Sequence, residues 1–561
     1  MAPHPIQLIP QIRPVPGREK QDMVCPENTV PVNILRERSS GVLLPIFSLP
    51  GEGGIGDLGK SARFFIDFLH RARQRCWQIL PVGPISPVFG HSPYMSCSAF
   101  AGNPLLIALD TLLEQGLLRD EEVHWPVFPE YHIAYPEVIA FKTAMLRTAW
   151  NRFRTWPGYG EILEAFSDRC PWSTDYSLFM AIKEEQNQSP WYEWPAGLRA
   201  GTAAALAKAK ERLRESRGYY LFEQWLFFEQ WQEMRAYADS RGVQLIGDLP
   251  IYVALDSADV WANQSLFQLH PQTGRPLAVA GVPPDYFSDD GQLWGNPLYC
   301  WNTPDAAIRD QLWRWWEERL RLNFQLTHIL RLDHFRGFEA YWAVPADEKT
   351  ARNGQWEPGP GAPFFLEMER RLHGMQIIAE DLGIITPEVE AMRTELGYPG
   401  MKILLFAFDG NPDNHYLPYN IEPESVIYTG THDNDTAVGW YLSPEVDHAA
   451  KWRAKQFANQ HDDHAGSFHQ NILYLALASP ANLAIVPMQD VLGFGNDCRM
   501  NRPGTLHGNW RWRCAKRFLT DSAADQLAGV STLFGRNIAR TRTQTSTDPA
   551  ADAADNTPAH K

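Results

Sequence analysis

The sequence predicts an α/β fold, and two patterns along the chain support this class. Short continuous apolar runs recur, and most of them are separated by segments with helical spacing. Strands that are apolar on both faces are typical of parallel sheets covered by helices. The eight runs are GVLLPI (41–46), WQILPV (77–82), VQLIGD (243–248), HILRLD (328–333), MQIIAE (375–380), KILLFA (402–407), SVIYTG (425–430) and NLAIVP (482–487). Eight such strands favour a (β/α)8 or TIM barrel, with a doubly wound sheet as the alternative.

Helical segments account for much of the sequence between these runs. Residues 61–72, 221–238 and 307–322 precede the second, third and fourth runs. Residues 83–242 are too many for one crossover, and apolar side chains at steps of three and four between Val138 and Phe153 predict a helix there. We expect helical and loop insertions to form subdomains around the carboxyl-terminal face of the barrel.

This pattern divides the chain into parts. The expected parts are an irregular amino-terminal extension (1–40), a barrel (41–536) with a helical insertion at about 105–215 and a loop insertion at about 251–303, and a disordered tail (537–561).

Composition excludes several classes of protein and partner. Of the 561 residues, 44% are hydrophobic and 21% are charged, which argues against general disorder. Fifty-one Lys and Arg against 66 Asp and Glu give a net charge of −15, so nucleic acid is not an expected partner. Seven widely spaced cysteines without a Cys-x-x-Cys pair, and no apolar run of membrane-spanning length, predict a cytoplasmic protein without a membrane partner. No protein partner is indicated.

Four of the runs end at, or shortly before, an acidic residue. These acids are Asp248, Asp333, Glu380 and Asp433. A barrel enzyme builds its active site at the carboxyl ends of its strands, so we expect the four carboxylates to converge. A carboxylate in such a place needs a metal, a basic partner or acid/base work to offset its desolvation.

Two of these acids have neighbours that predict different charges. Arg331 and Asp333 leave the same face of one strand, so the guanidinium should lower the pKa of Asp333 and keep it ionised. Glu380 follows an apolar run and precedes Asp381, which should raise the pKa of one of the two. One ionised and one protonated acid are the machinery of glycoside chemistry.

The longer blocks around these acids resemble a known family. GDLPIYV (247–253), LRLDHFRGFEAYW (330–342), AEDLG (379–383) and GTHDND (430–435) resemble the four ordered regions of the α-amylase-type barrel enzymes. Further blocks, SPYMSCSAFAGNPLL (92–106), AGVPPDYFSDDGQLWGNPLY (280–299), PMQDVLG (487–493) and RMNRPGT (499–505), resemble the 4-α-glucanotransferases, or amylomaltases. The sequence departs from the family at residues 45–48 and at Met95, where Gln is common.

The resemblance implies a role for each matching residue. It makes Asp333 the nucleophile, Glu380 the general acid/base and Asp433 the third carboxylate, which stabilises the transition state. It places Asp248, Arg331, His432 and Asn501 around the sugar beside the scissile bond, with Tyr94 and Trp294 as aromatic platforms. We expect Tyr286 and Phe287, within residues 283–292, to form a flexible lip that limits water.

The implied activity is transfer of α-1,4-glucan segments by a retaining mechanism. Donors would be α-1,4-glucans and maltooligosaccharides, and glucose would serve as an acceptor. The two reacting carboxyl groups should then lie about 5–5.5 Å apart. No cofactor and no metal are expected, so activity should survive prolonged chelation.

Four alternatives remain beside this hypothesis. Gly51, Gly53 and Gly56 have the spacing of a dinucleotide-binding loop, although no acid follows at the expected distance. His334, His432, Asp333, Asp433 and Asp435 could be imagined as ligands of a metal hydrolase. A glucan-binding protein without turnover, and a hydrolase on the same barrel, complete the set.

Overall fold

The computed structural model describes residues 33–537 except 285–287, 461–463 and 506. Most of the predicted extension and nearly all of the predicted tail lie outside these residues. The boundary predicted after residue 40 is too late, because the first strand begins at Ser39 and Ile34 and Leu35 are already buried against the barrel interior.

Twelve strands and seventeen α-helices occur in the described part of the chain. The strands are β1 Ser39–Leu43, β2 Cys76–Gln78, β3 Gln244–Pro250, β4 Ala278–Val282, β5 Gln292–Pro297, β6 Ile329–Asp333, β7 Ala340–Pro345, β8 Gln355–Pro358, β9 Ile377–Ala379, β10 Gly400–Ile403, β11 Ser425–Tyr428 and β12 Leu483–Pro487. The helices are α1 Lys60–Arg71, α2 Leu109–Glu114, α3 Tyr135–Phe153, α4 Tyr159–Arg169, α5 Trp172–Glu185, α6 Ala196–Arg199, α7 Ala203–Arg212, α8 Arg214–Ser240, α9 Ala258–Ala262, α10 Ala306–Leu326, α11 Gly361–Leu372, α12 Pro387–Leu396, α13 Ala437–Leu442, α14 His448–Phe457, α15 Ala465–Ala478, α16 Met488–Leu492 and α17 Asp521–Leu533.

Eight of the strands close into a parallel barrel. Their order around the barrel is β1-β12-β11-β10-β9-β6-β3-β2, and β1 pairs in parallel with both β2 and β12. Each barrel strand overlaps one of the eight predicted runs, so the predicted (β/α)8 barrel is confirmed. Closure of β1 on β12 excludes the doubly wound sheet, which would leave two open edges.

Except for β3, which extends to Pro250, the strands are shorter than the apolar runs that predict them. The second run is a strand only as far as Gln78, and the sixth is β10 followed by a 3-10 turn at Leu404–Phe406. In that turn the Ala407 amide donates to the Leu404 carbonyl over 3.0 Å, so these residues leave the ladder. Apolar residues beyond the strand ends, such as Ile79 and Leu80, are still buried. An apolar run therefore predicts where the chain is buried better than it predicts where a strand ends.

The helices that the sequence predicts are present. Helices α8 and α10 cover the predicted segments 221–238 and 307–322, α1 covers all but the last residue of 61–72, and α3 contains the apolar stripe from Val138 to Phe153. The segment predicted as a helical insertion holds α2 to α7. Its core is aromatic, for example where Phe153 stacks on Trp225 of α8 with ring centroids 5.0 Å apart.

A four-stranded antiparallel sheet, which the sequence analysis does not predict, stands beside the barrel. Its order is β5-β4-β7-β8. Strands β4 and β5 come from the predicted loop insertion, whereas β7 and β8 follow barrel strand β6. Two separate connections between barrel strands, β3 to β6 and β6 to β9, therefore form this one sheet. Within the described ranges, no helix combines the length and apolar character needed to cross a membrane.

The glycine-rich loop after β1 has a packing explanation. A Cβ at Gly56 would lie 1.9 Å from the Ile46 carbonyl oxygen, and one at Gly51 would lie 2.3 Å from that of Ile55. The Gly56 amide donates to the Phe47 carbonyl over 3.0 Å. The glycines thus let the loop close on its own backbone, which weakens the dinucleotide hypothesis.

Candidate active site

A groove of about 600 Å³ opens at the carboxyl ends of the barrel strands. Of the residues that the sequence nominates, those lining the groove are Tyr94, Trp294, Arg331, Asp333, Glu380, His432, Asp433 and Asn501. Asp248 lies beneath this surface, with a side chain that is 0% exposed. Tyr286 and Phe287 lie outside the described residues, so their predicted role stays a prediction.

The barrel register brings Asp333 and Glu380 to the same rim. Asp333 is the last residue of β6, and Glu380 directly follows β9. Leu332 and Ala379 are paired in the ladder, and the Glu380 amide donates to the Leu332 carbonyl over 3.1 Å. The two candidate reacting acids are therefore neighbours across two adjacent strands.

Asp333 is held by a buried ionic network. Arg331 Nη1 donates to Asp333 Oδ1 over 3.0 Å and to both carboxylate oxygens of Asp248 over 2.7 and 2.9 Å. The Arg331 side chain is 4% exposed and that of Asp333 is 27% exposed. Asp248 thus fixes the guanidinium from below, and Asp333 alone of the two acids reaches the groove.

Asp433 belongs to the same network through neutral groups. Asn501 Nδ2 donates to Asp433 Oδ1 over 2.6 Å, and His432 Nε2 lies 3.4 Å from Asp433 Oδ2. The Tyr94 hydroxyl donates to Asp248 over 2.8 Å and lies 2.8 Å from His432 Nε2. Because the Tyr94 hydroxyl donates its proton to Asp248, its oxygen can only accept a hydrogen bond from His432. The proton of His432 is therefore assigned to Nε2.

Glu380 is held by backbone groups. Its Oε2 accepts from the His334 amide over 2.6 Å, and its Oε1 accepts from the Leu382 amide over 3.0 Å. His334 has a left-handed conformation with φ of 53°, unusual for a residue other than glycine, and this turn follows Asp333 directly. The turn after the candidate nucleophile therefore also orients the candidate acid.

Burial dominates the titration of the two acids. Desolvation raises the pKa of Asp333 to about 8, against a lowering by Arg331. The prediction that Arg331 leaves Asp333 with a lowered pKa is wrong in net direction, because burial and the charges of Asp248 and Glu380 outweigh the guanidinium. Burial also raises the pKa of Glu380, as predicted, and Asp381 adds a smaller contribution.

The surrounding groups are neutral. Burial lowers the pKa of His432, and it lowers that of His334 to about 3. Burial raises the pKa of Tyr94 well above its ordinary value. Arg331 is consequently the fixed cation next to Asp333, while the imidazoles and the phenol offer hydrogen bonds without charge.

Two contributing residues were missed by the sequence analysis. Arg499 donates to the Asp433 carbonyl over 2.7 Å, and Trp510 packs 5.7 Å from the Tyr94 ring and 5.9 Å from that of His432. Arg499 opens the block 499–505, which was a usable signal, whereas nothing distinguishes Trp510 from the other tryptophans. Of the two departures, Met95 lines the groove and residues 45–48 are buried away from it.

The part of the chain that the structure describes contains no cluster of metal-binding side chains, which the metal-hydrolase alternative would require. No three His, Cys, Asp or Glu side chains are grouped there as a bound metal would require. Asp435, one of the imagined ligands, instead accepts a hydrogen bond from Asn496 Nδ2 over 2.5 Å.

Two partly buried acids at the rim of a parallel (β/α)8 barrel are the arrangement that enzymes acting on glycosidic bonds use. The model of the family described as "Glyco_hydro_77: 4-alpha-glucanotransferase" matches residues 44–520. The chain is 47% identical over 517 residues to a 4-alpha-glucanotransferase of Synechocystis, covering 91% of this chain and 100% of the relative. It is 45% identical to one of Thermus thermophilus, covering 85% and 94%.

A solved structure gives the same assignment. The amylomaltase from Streptococcus agalactiae in complex with acarbose superposes with a TM-score of 0.84 at 36% identity, covering 89% of this chain and 100% of that one. The chain therefore belongs to glycoside hydrolase family 77, the 4-alpha-glucanotransferases, which are hexosyltransferases.

Proposed function

We propose that this enzyme moves α-1,4-glucan segments from a donor maltooligosaccharide to the 4-hydroxyl of glucose or of another glucan, by double displacement through a covalent intermediate on Asp333. The observation that supports this most is the placement of Asp333 and Glu380 on adjacent strands of one rim, each held by different partners. Family membership supports the 4-alpha-glucanotransferase activity itself.

The first step breaks the donor linkage. An Asp333 carboxylate oxygen attacks the anomeric carbon, the bond from that carbon to the glycosidic oxygen breaks, and Glu380 gives its proton to the departing oxygen. The two acids share a proton, and Arg331 contacts Asp333 with a full positive charge, whereas Glu380 receives only backbone N–H groups. The proton is therefore favoured on Glu380.

The second step reverses these roles. Glu380, now ionised, accepts the proton of the acceptor 4-hydroxyl, whose oxygen attacks the anomeric carbon and displaces Asp333. Positive charge develops on the sugar ring in both steps. Asp433, oriented by Asn501 and His432, stabilises that charge, while Arg331, Tyr94 and Trp294 bind the sugar beside the cleaved bond.

Transfer requires that a sugar hydroxyl reach the intermediate ahead of water. Tyr286 and Phe287 are our candidates for a lip that limits water. Replacing both by Ala should raise the ratio of hydrolysis to transfer about threefold. Because hydrolysis creates a new reducing end and transfer does not, this ratio is measured as reducing ends formed per glucose released from maltotriose. An unchanged share would remove this role from the pair.

Incubation of the protein with maltotriose alone tests the proposed function. A ladder of longer maltooligosaccharides together with glucose is expected, because one molecule serves as donor and another as acceptor. Products shorter than maltotriose only would instead establish a hydrolase on the same barrel. Binding without any product would establish the glucan-binding alternative.

A further inference from the structure

An exposed tryptophan stands in the groove outside the residues already given a role. Trp356, on β8 at the edge of the four-stranded sheet, is 39% exposed and lines the groove. A large aromatic left open in a groove loses the free energy of burial, unless a ligand covers it.

The Trp356 ring is held in place by two neighbours. The Arg336 guanidinium lies over it, with Cζ 3.8 Å from the ring centroid, and Trp342 meets it edge-on at 5.1 Å across the β7–β8 pair. Arg336 is itself 6% exposed and is anchored by a hydrogen bond to the Ile384 carbonyl. A rigid ring with little freedom to lose on binding is a suitable platform for the C–H face of a sugar.

The chain path places this platform on the leaving-group side of the groove. Arg336 binds the segment that starts at Glu380, whose Oε1 accepts from Leu382 and which continues to the exposed Ile384. The ion-paired residues Asp248, Arg331 and Asp333 belong instead to the neighbouring strands β3 and β6. Since a general acid stands between the transferred sugar and the leaving group, and the acceptor later takes the leaving group's place, this is also the acceptor side.

The platform lies beyond the sugar that reacts. His334, whose amide contacts Glu380, packs edge-on against Trp294 with centroids 4.8 Å apart, so these two rings flank the reacting position. Trp356 contacts Arg336, which lies two residues beyond His334 in the chain. We propose, on the basis of the proposed function, that Trp356 held by Arg336 binds an acceptor glucosyl residue beyond the reacting one and thereby sets the preference for acceptor length.

Acceptor kinetics test this inference. The donor is a nitrophenyl maltooligosaccharide whose terminal 4-hydroxyl is blocked, so that it cannot act as acceptor, and glucose and maltotriose are compared as acceptors. Trp356→Ala should raise the apparent KM for maltotriose about five- to tenfold and that for glucose by less than about twofold. Trp356→Phe should keep most of the maltotriose affinity, and Arg336→Lys, which loses the flat stacking partner, should lie between them.

Trp452 provides a matched control, because it is 59% exposed and is not among the groove residues. Trp452→Ala should behave as the wild type with both acceptors. An equal change for glucose and maltotriose, or no change, in Trp356→Ala would overturn the inference while leaving the proposed function intact. A wild type that hydrolyses maltotriose without transfer would reject the proposed function and this inference with it.

Discussion

The two sides of the groove hold their acids by different means. On the nucleophile side, comprising Asp248, Arg331 and Asp333, side chains form the contacts, and a full positive charge touches the carboxylate. On the acid side, two backbone amides hold Glu380, and no cation is hydrogen-bonded to that carboxylate among the described residues. A fixed cation favours the ionised form, whereas amides orient a group that must gain and lose a proton.

The strongest test of this difference is Asp333→Asn. The amide keeps the shape of the side chain but cannot form the covalent bond to the sugar, so turnover of maltotriose should fall by more than about 10⁴-fold. Binding of maltoheptaose, measured by calorimetry, should persist because Arg331 and the aromatic residues remain. Turnover equal to that of the wild type would remove Asp333 as nucleophile.

Glu380→Gln should reduce turnover somewhat less than Asp333→Asn, and an activated donor should restore its activity. Loss of the general acid is expected to slow turnover of maltotriose by about 10²- to 10⁴-fold. A maltosyl fluoride donor needs little protonation of its leaving group, so it should restore release of fluoride in Glu380→Gln but not in Asp333→Asn. Equal rescue of both variants, or of neither, would show that the two sides are not specialised.

The pH dependence follows from the raised pKa values. The active form carries one proton on the pair, and with the pKa of Asp333 raised to about 8 and that of Glu380 raised as well, this proton is kept at neutral pH. Above neutral pH, kcat/KM should fall as the pair loses this proton, with a slope approaching about tenfold per pH unit. Uptake of a second proton by the pair at low pH leaves no carboxylate to attack the sugar and gives the acid limb.

Measurement of kcat/KM for maltotriose from pH 4 to 10 checks this profile. Glu380→Gln, assayed with maltosyl fluoride, should lose the basic limb and keep the acid limb. Wild-type activity that already declined above pH 5 would mean that the two carboxyls titrate like exposed ones.

The barrel and its acids were predictable because their causes are local in the sequence. Strands buried on both faces must be apolar throughout, and an acid at the end of such a strand is conspicuous; Asp333 at the end of β6 shows both features. The sequence analysis did not predict how far each acid lies below the groove surface. Asp248 has the same pattern, yet it lies beneath Arg331 and does not line the groove, which depends on contacts between neighbouring strands.

The small sheet was missed because no single segment reveals it. Strand β8 is only four residues long, Gln355–Pro358, and it pairs with β7, which in turn pairs with β4 from a different connection. The turn at His334 was missed for a related reason: a left-handed conformation in a residue other than glycine has no compositional signal. Features made by distant segments, such as the Trp356 platform, therefore require the structure.

The smallest expected effect concerns Asp433, the third acid of the groove, which belongs to neither of these two sets of contacts. Asp433 is 44% exposed and has two side-chain neighbours, Asn501 at 2.6 Å and His432 at 3.4 Å. Since water can replace one lost donor, Asn501→Ala should lower kcat/KM for maltotriose only about tenfold. Asn501→Asp would set a second negative charge against Asp433 and should be worse.

Asn420 offers the matched control, because its exposed amide also donates a hydrogen bond, to the Pro412 carbonyl over 2.9 Å, and it does not line the groove. Asn420→Ala should retain full activity. If Asn501→Ala were as inactive as Asp333→Asn, Asp433 would depend on this single amide for its orientation. That result would mean that the side chains around the groove act as one unit. A much smaller loss for Asn501→Ala than for Asp333→Asn, as expected here, would show that the two acids contribute separately.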